Sequence, residues 1–385
     1  MILPATRISN VKEYYFSTKL KEIARMKSQG VDVLNLGIGN PDLPPSADTI
    51  EALHASSNQD GNHGYQSYVG IPELRKGFSE WYKTWYNVTL NPDTEVLPLI
   101  GSKEGITHIS LAFLNQGDEV LIPDPGYPTY SSVSELVGAV SRTYDLKEEN
   151  GWFPNLDQLE SEGVDKVKIM WVNYPNMPTG TPATRELFEK LVAFAKKHNI
   201  LIVNDNPYSF ILNDDPKSIL EIEGAKDVCI ELNSLSKSHN MAGWRIGMAA
   251  SSSTIINYIL RVKSNVDSGM YKPLQLAAVE ALKAGKSWYD GNNRVYAERK
   301  KLAFAILDKL ECDYDVKQTG MFVWARIPDH IECVSDFSDS ILMKAHVFIT
   351  PGFIFGENGK RYVRISLCSP ESMLSEALKR IKEKM

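Results

Sequence analysis

Several short apolar runs in this sequence end in residues that can do chemistry. EVLPLI runs into Gly101-Ser102-Lys103-Glu104-Gly105, and a helical pattern follows at once. A small-residue turn that opens a helix presents free N–H groups and a positive dipole end, a natural phosphate site. The plainer reading is an ordinary turn with Ser102 as the helix cap. EVLIP ends in Asp124-Pro125-Gly126-Tyr127-Pro128. Its prolines would hold Tyr127 as a fixed ring for stacking on a planar heteroaromatic ligand, although a core tyrosine beside a proline turn is the commoner case. ILIV ends in Asn204-Asp205-Asn206-Pro207-Tyr208. An acid at a buried strand end is costly unless it meets a cation. Asp205 therefore either caps a helix or faces a protonated ring nitrogen, with Tyr208 donating nearby.

VKIMWV ends in the loop Asn173-Tyr174-Pro175-Asn176-Met177-Pro178-Thr179-Gly180, and VCIEL ends in Asn233-Ser234-Leu235-Ser236-Lys237-Ser238. Most lysines are solvated surface residues. Lys237 instead sits among small polar residues straight after an apolar strand. Arg245, eight residues on, precedes another apolar run and could return a guanidinium to the same place. Arg364 lies inside RYVRISL, and an arginine flanked by apolar residues normally has an anionic partner, for which a carboxylate fits its planar fork. Together these ends offer a phosphate turn, a stacking ring, an acid for a ring nitrogen, an amine for a Schiff base and a carboxylate-binding arginine. That set is what pyridoxal phosphate needs of a protein when it acts on amino acids.

The elements that must position these groups follow from the alternation of short apolar runs with helical stretches such as GITHISLAFL and RELFEKLVAFAKKHN, from about residue 95 onward. That alternation predicts βαβ units and a mostly parallel sheet buried on both faces, with ligands beyond the carboxyl ends of its strands. Residues 11–29 place Val11, Tyr15, Phe16, Leu20, Ile23 and Met26 at mostly helical spacing, and VDVLNLGIGNPDLPP reads as a strand running into a loop. After residue 275 the texture changes. A long amphipathic helix is predicted over 289–311, then strands at TGMFVWARI, HVFITP and RYVRISL. The expected division is a large α/β domain at 45–285 and a smaller α+β domain from 1–44 and 286–385.

Composition sets the outer bounds. A chain of 385 residues, 43% hydrophobic and 23% charged, is ordinary for a globular protein and long enough for two cores. A net charge of -6 without a basic run disfavours nucleic acid. Cys229, Cys312, Cys333 and Cys368 form no CxxC pair, so neither a metal site nor a disulfide framework is expected. With no apolar leader and no apolar run of bilayer length, a cytoplasmic protein with no membrane partner is expected.

Nearly end to end, the chain resembles the class I/II aminotransferases, the aspartate aminotransferase family of fold-type I pyridoxal-phosphate enzymes. The resemblance is carried by LNLGIGNPD, YQSYVGIPELR, GSKEG, DPGYP, NYPNMPTG, DNPY, SLSKSHNMAGWRIG and YVRIS, in that order. It implies that Lys237 holds the cofactor as a Schiff base and shuttles the substrate proton, and that Asp205 pairs with the pyridinium nitrogen. Tyr208 would donate to the ring's phenolic oxygen, and Tyr127 would stack on its face. Ser102, Lys103, Ser234 and Arg245 would hold the phosphate. Tyr65 would reach the phosphate of a neighbouring subunit in a homodimer with shared sites. Arg364, helped by the Gly39 backbone, would bind the substrate's α-carboxylate and draw the small domain shut.

One position departs from the family pattern. Met177 stands directly before Pro-Thr-Gly, where the family usually has an asparagine bonded to the phenolic oxygen. Either Asn176 substitutes as the cofactor contact or Tyr208 acts alone, the reading preferred, in which case the Schiff-base pKa should rise.

The resemblance implies ping-pong transamination with glutamate and 2-oxoglutarate as the common pair. Lys103, if it reaches a distal carboxylate rather than lending only its backbone, ranks aspartate slightly above alanine and then diaminopimelate derivatives. Two other functions compete. A C–S β-lyase of the same fold would release pyruvate and ammonia without any 2-oxo acid. A ligand-sensing regulator would bind cofactor without turnover. A nicotinamide dehydrogenase is disfavoured because GIGNP lacks the GxGxxG spacing.

Overall fold

The structure, a computed structural model, describes residues 2–8 and 15–385. Val11, expected in the first helix, lies outside the described residues. In chain order the strands are β1 (Leu34–Asn35), β2 (Val96–Leu99), β3 (Glu119–Asp124), β4 (Val140–Asp145), β5 (Val167–Val172), β6 (Leu201–Asp205), β7 (Cys229–Ser234), β8 (Gly247–Ala250), β9 (Phe322–Arg326), β10 (Val347–Phe348), β11 (Thr350–Pro351) and β12 (Tyr362–Ser366). Seven of them form one sheet in the order β2-β8-β7-β6-β5-β3-β4. β8 runs antiparallel to both β2 and β7, while β3 to β7 pair in parallel, so the sheet is mostly parallel as expected.

Successive side chains of a strand point to opposite faces, so a strand covered on both sides must be apolar at every position. In β5, Ile169 and Trp171 enter a core with Val120, Val203 and Ile230. Met170 and Val172 enter the opposite core with Leu121 and Ile202. Each such large apolar side chain contributes about 1.5–3 kcal/mol when fully buried. The helices Ser102–Phe113 and Ser253–Lys263 cover the first face through Ile106, Ile109 and Ile256. Pro72–Tyr86 and Arg185–His198 cover the other through Phe78, Leu187 and Leu191. The start and end of Arg185–His198 follow from its sequence. Thr184 caps the first turn by accepting from the Leu187 N–H, and Lys196, Lys197 and His198 crowd the last turn, where the dipole favours cations.

β4 is a strand that the apolar-run pattern passes over. It sits at the sheet edge, paired only with β3, and its sequence VSRTYD leaves Tyr144 as its one buried residue. An edge strand needs no continuous apolar run.

The C-terminal part forms a three-stranded antiparallel sheet, β11-β12-β9, packed by the helices Lys286–Lys309, Val334–Ala345 and Glu371–Lys384. HVFITP, expected as one strand, is two. β10 pairs with β1 in parallel and β11 pairs with β12, so the chain changes partners at Ile349. The long helix begins at Lys286, slightly earlier than expected.

VLNLGIG yields only the two residues of β1, because the following loop bonds elsewhere. The Leu36 carbonyl accepts from the Ser366 N–H at 2.8 Å, and the Ile38 carbonyl from Ser366 Oγ at 2.8 Å. Arg299 in the long helix grips Asp42 with both nitrogens, at 2.7 and 2.8 Å. The loop 36–42 is thus carried by the smaller sheet and its helices. No helix among the described residues is long and apolar enough to cross a membrane.

Candidate active site

One cavity of about 1100 Å3 opens at the carboxyl ends of the parallel strands, between the large sheet and the loop carried by the small one. The strand order brings residues remote in sequence to its walls. β6 delivers Asp205 as its last residue and β7 delivers Ser234, with Lys237 in the short helix Leu235–Ser238 that follows. Because β8 runs antiparallel, the residues before it, not after it, arrive at the same edge. Gly247 pairs with both Leu99 and Ser234, and Arg245 two residues earlier stands beside the turn after β2.

That turn is built around absent side chains. Gly101 sits at φ 79°, and a Cβ there would lie 2.1 Å from Arg245 Nη2. A Cβ on Gly247 would lie 2.7 Å from the Ser102 amide nitrogen. Gly101, not Ser102, is the residue at the helix cap position, and no side chain satisfies the first N–H groups. Ser102 is the first residue of the helix and lines the cavity, which corrects the capping reading. Free amides at a twelve-residue helix's start, with Arg245 beside them and Ser234 and Ser236 opposite, make a site for a dianion. Ser236, overlooked in the sequence, lies 3.4 Å from Arg245 Nη1 through its hydroxyl.

Asp205 is 6% exposed, and burial raises its pKa to about 6 against the opposing pull of a hydrogen bond from Tyr130. The Tyr130 hydroxyl donates to Oδ2 at 2.9 Å, while Oδ1 is buried with no partner among the described residues. Tyr130 in turn stacks on Trp171 at 4.9 Å with rings nearly parallel, and Tyr127 meets Tyr130 edge-on at 5.6 Å. Asn173 lines the cavity and donates from Nδ2 to the Asp205 carbonyl at 2.5 Å. Tyr130 and Asn173 were both overlooked in the sequence. The signal available is their place, three residues after Tyr127 and directly after the last residue of β5.

Lys237 donates to the Gly39 carbonyl at 2.5 Å, and burial pulls its pKa below the usual lysine value. A lysine held that way is easier to deprotonate and so to use as a nucleophile or proton carrier. Gly39 cannot carry a side chain, since its Cβ would lie 2.4 Å from the Phe322 ring. Tyr208 lines the same wall, edge-on to Phe322 at 6.0 Å, and burial raises its pKa. Lys103 and Tyr127 also line the cavity, Lys103 being exposed.

Arg364 projects from β12 into the opposite end. It is 6% exposed, and its guanidinium carbon lies 3.9 Å from the centre of Phe322 and 4.6 Å from that of Phe355. Its nitrogens donate to the Gly37 carbonyl at 2.8 Å and the Met177 sulfur at 3.3 Å, and Nε has no partner among the described residues. Burial lowers its pKa to about 10, so it remains a cation at neutral pH.

One candidate for the site is elsewhere. Asn176 is buried in its own loop, where Oδ1 takes the Thr179 hydroxyl at 2.8 Å and Nδ2 donates to the Asn173 carbonyl at 3.2 Å; it does not line the cavity. Met177 does line it. The turn to proline aims the amide inward to close the loop and the thioether outward. Tyr65, expected at a neighbouring subunit's site, is 93% exposed and does not line this chain's own cavity.

The residues present fit pyridoxal phosphate. An unpartnered buried carboxylate oxygen suits a protonated ring nitrogen, an uncapped helix start with a guanidinium suits the phosphate, and a deprotonation-prone lysine lies between them. The comparisons agree. Residues 31–381 match the family described as aminotransferase class I and II. The chain is 43% identical over 380 residues to the LL-diaminopimelate aminotransferase of Maridesulfovibrio salexigens, covering 98% of each protein. It is 42% identical to that of Aquifex aeolicus, covering 98% of this chain and 97% of the other. Among solved structures, substrate-bound BacF from Bacillus subtilis superposes with a TM-score of 0.95 at 37% identity, over 100% of this chain and 98% of that one. The chain belongs to the class I and II aminotransferases and is a pyridoxal-phosphate-dependent transaminase.

Proposed function

We propose that this transaminase acts on a long amino acid of the LL-diaminopimelate type, with glutamate and 2-oxoglutarate as the other pair. The relatives' names favour that substrate over aspartate or alanine, which rank first from the sequence. The observation that carries the reading is the reach of the cavity. Its lining takes in Phe16, Leu20 and Ala24 of the helix Tyr15–Ser28 as well as Asp205 and Arg364, more wall than an aspartate or alanine side chain requires. Its volume exceeds that of a site for one drug-sized ligand, as expected where cofactor and a long substrate share it. Lys103 and Ser17, also in its lining, offer polar groups for a distal carboxylate and amine.

The proposed roles follow from the geometry. Arg364 takes the α-carboxylate in a water-poor pocket, where its planar fork both binds and orients. Lys237 carries the proton away from and back to the substrate's Cα. Asp205 would face the ring nitrogen through Oδ1, and Tyr208 would donate at the ring's oxygen. Arg245, Ser102, Ser234 and the Lys103 amide would hold the phosphate. Bound pyridoxal phosphate supplies a carbonyl that condenses with amines and a ring that withdraws electrons. Tyr65, wholly exposed on one chain, would complete a second subunit's site in a homodimer. The division at 45–285 against 1–44 and 286–385 would let the loop 36–42 and Arg364 close together over the substrate.

A second reading has its own support. Phe16, Leu20, Ile38, Ile354 and Phe355 make the mouth apolar, which suits an aromatic or aliphatic amino donor. Absorption spectra of the holoenzyme with LL-diaminopimelate, aspartate, alanine and phenylalanine, each alone, separate the readings. Conversion of the visible band by LL-diaminopimelate, reversed by 2-oxoglutarate, is the expected result. Conversion by phenylalanine alone supports the second reading. Pyruvate and ammonia formed without any 2-oxo acid would move the assignment to a β-lyase.

A further inference from the structure

Asp124 ends β3 at the root of the loop that carries Tyr127, yet it does not line the cavity. It is buried against a turn at 352–359, which leads into β12 of the smaller sheet. Its Oδ2 accepts from the Glu357 N–H and its Oδ1 from the Asn358 N–H, both at 3.0 Å. Asn358 Nδ2 donates to the Asp124 carbonyl at 3.0 Å and to Asp145 Oδ1 at 2.8 Å. Beside them the Gly126 N–H donates to the Phe355 carbonyl at 2.8 Å. Consecutive N–H groups of a tight turn form a concavity that suits an anion, and here the chain fills it with its own carboxylate. Burial pushes the Asp124 pKa up, and the two N–H groups pull against that push. The fit leaves no spare room. Gly356 sits at φ 138°, and a Cβ there would lie 2.1 Å from Oδ1.

We propose that Asp124 is a positioning residue for substrate binding: its carboxylate latches the turn at 352–359 onto the strand end that carries Tyr127, and so holds Phe355 behind the Arg364 guanidinium. The turn supplies Ile354 and Phe355 to the cavity wall, and the Phe355 ring centre lies 4.6 Å from the guanidinium carbon. Hydrogen bonds to an ionised acceptor are roughly twice as strong as neutral ones, so this contact fixes the turn more firmly than ordinary loop contacts do. With the latch closed, an incoming carboxylate meets a desolvated and oriented cation. With the latch open, water reaches the guanidinium, and the carboxylate gains less by pairing with it. The inference rests on Arg364 being the carboxylate-binding group.

The test measures KM and kcat of the holoenzyme for the amino donor that converts its visible band, with cofactor occupancy checked by that band in every variant. Asp124→Asn keeps the shape but turns an amide N–H group toward one of the two backbone donors. It is expected to raise KM about tenfold to a hundredfold, the worth of a hydrogen bond to a charged group, with kcat changed far less. Gly356→Ala breaks the same contact from the other side and is expected to raise KM by a similar factor. The double variant should be no worse than the worse single one, because a latch is lost only once. Asn358→Ala keeps the backbone N–H and removes only the side-chain bonds, so it disturbs the fold least and should raise KM about threefold to tenfold. The proposal falls if KM stays within about twofold of the parent in both Asp124→Asn and Asn358→Ala. It falls equally if the two single effects multiply in the double variant, or if the loss is in kcat or cofactor occupancy with KM unmoved. Arg364→Lys in the same assay separates the premise from the proposal. An unchanged KM there removes Arg364 from carboxylate recognition, whereas a raised KM beside a silent Asp124→Asn removes the latch alone.

Discussion

The two ends of the cavity hold the same kind of group in different ways. At one end Asp205 and at the other Arg364 are charged, each 6% exposed, and each left with an atom that has no partner among the described residues. Asp205 is clamped by firm contacts: the Tyr130 hydroxyl on Oδ2, the Asn173 amide on its carbonyl, and a Tyr130–Trp171 stack anchored in the core of the large sheet. Arg364 is surrounded by soft ones, two ring faces, a sulfur and a carbonyl, and it belongs to the smaller sheet. The difference matches the guests. A cofactor that stays bound rewards a rigid, preorganised partner. A substrate that must arrive and leave every turnover is better served by a cation whose resting partners let go.

The comparison predicts different kinetic signatures for the two ends. Asp205→Asn keeps shape but removes the charge facing the ring nitrogen, so it should fall mainly on kcat, by about a hundredfold to a thousandfold. Steady-state kinetics with saturating donor checks this, and a change confined to KM would contradict the assignment. Arg364→Lys keeps the charge and loses the planar fork, so the loss should be in KM, about tenfold to a hundredfold, with kcat moved less. If both variants fell equally on kcat, the two ends would not be doing separate jobs.

How far the sequence reveals this site depends on which contacts are local. The strands buried on both faces are legible because every position must be apolar, as in VKIMWV and VCIEL. Lys237 is legible because a lysine straight after such a strand has nowhere dry to go without a purpose. β4 was passed over because an edge strand carries polar residues. Residue type points to Ser102 as the cap, but the closeness of Arg245 demands glycine at position 101, which holds it. The partners of the charged groups were the least visible. Tyr130 meets Asp205 across 75 residues of sequence, and Met177 meets Arg364 across 187. Neither spacing leaves a periodic trace, because strand order sets both. Residue type alone makes Asn176 a candidate, and loop closure turns it away from the cavity.

The smallest predicted effect tests the firmness of the Asp205 end directly. Tyr130→Phe removes one hydroxyl and leaves the ring stack on Trp171. That hydroxyl opposes the upward push of burial, so without it the Asp205 pKa should climb further above about 6. The sign of the stability effect follows. A buried acid whose folded pKa exceeds its ordinary 3.8 binds its proton more tightly in the folded chain. Its contribution is therefore most favourable below that value and is lost as pH rises through the folded pKa. In the cofactor-free protein the loss should end near pH 6 for the parent and continue to higher pH for the variant. The two should unfold alike in urea near pH 4 and differ by about 1 kcal/mol at pH 8. With cofactor bound, a ring cation on Oδ1 stabilises the carboxylate and should shrink that gap. A gap of equal size at both pH values would mean that Tyr130 acts only through packing, and the contrast between a clamped end and a yielding one would lose its electrostatic half.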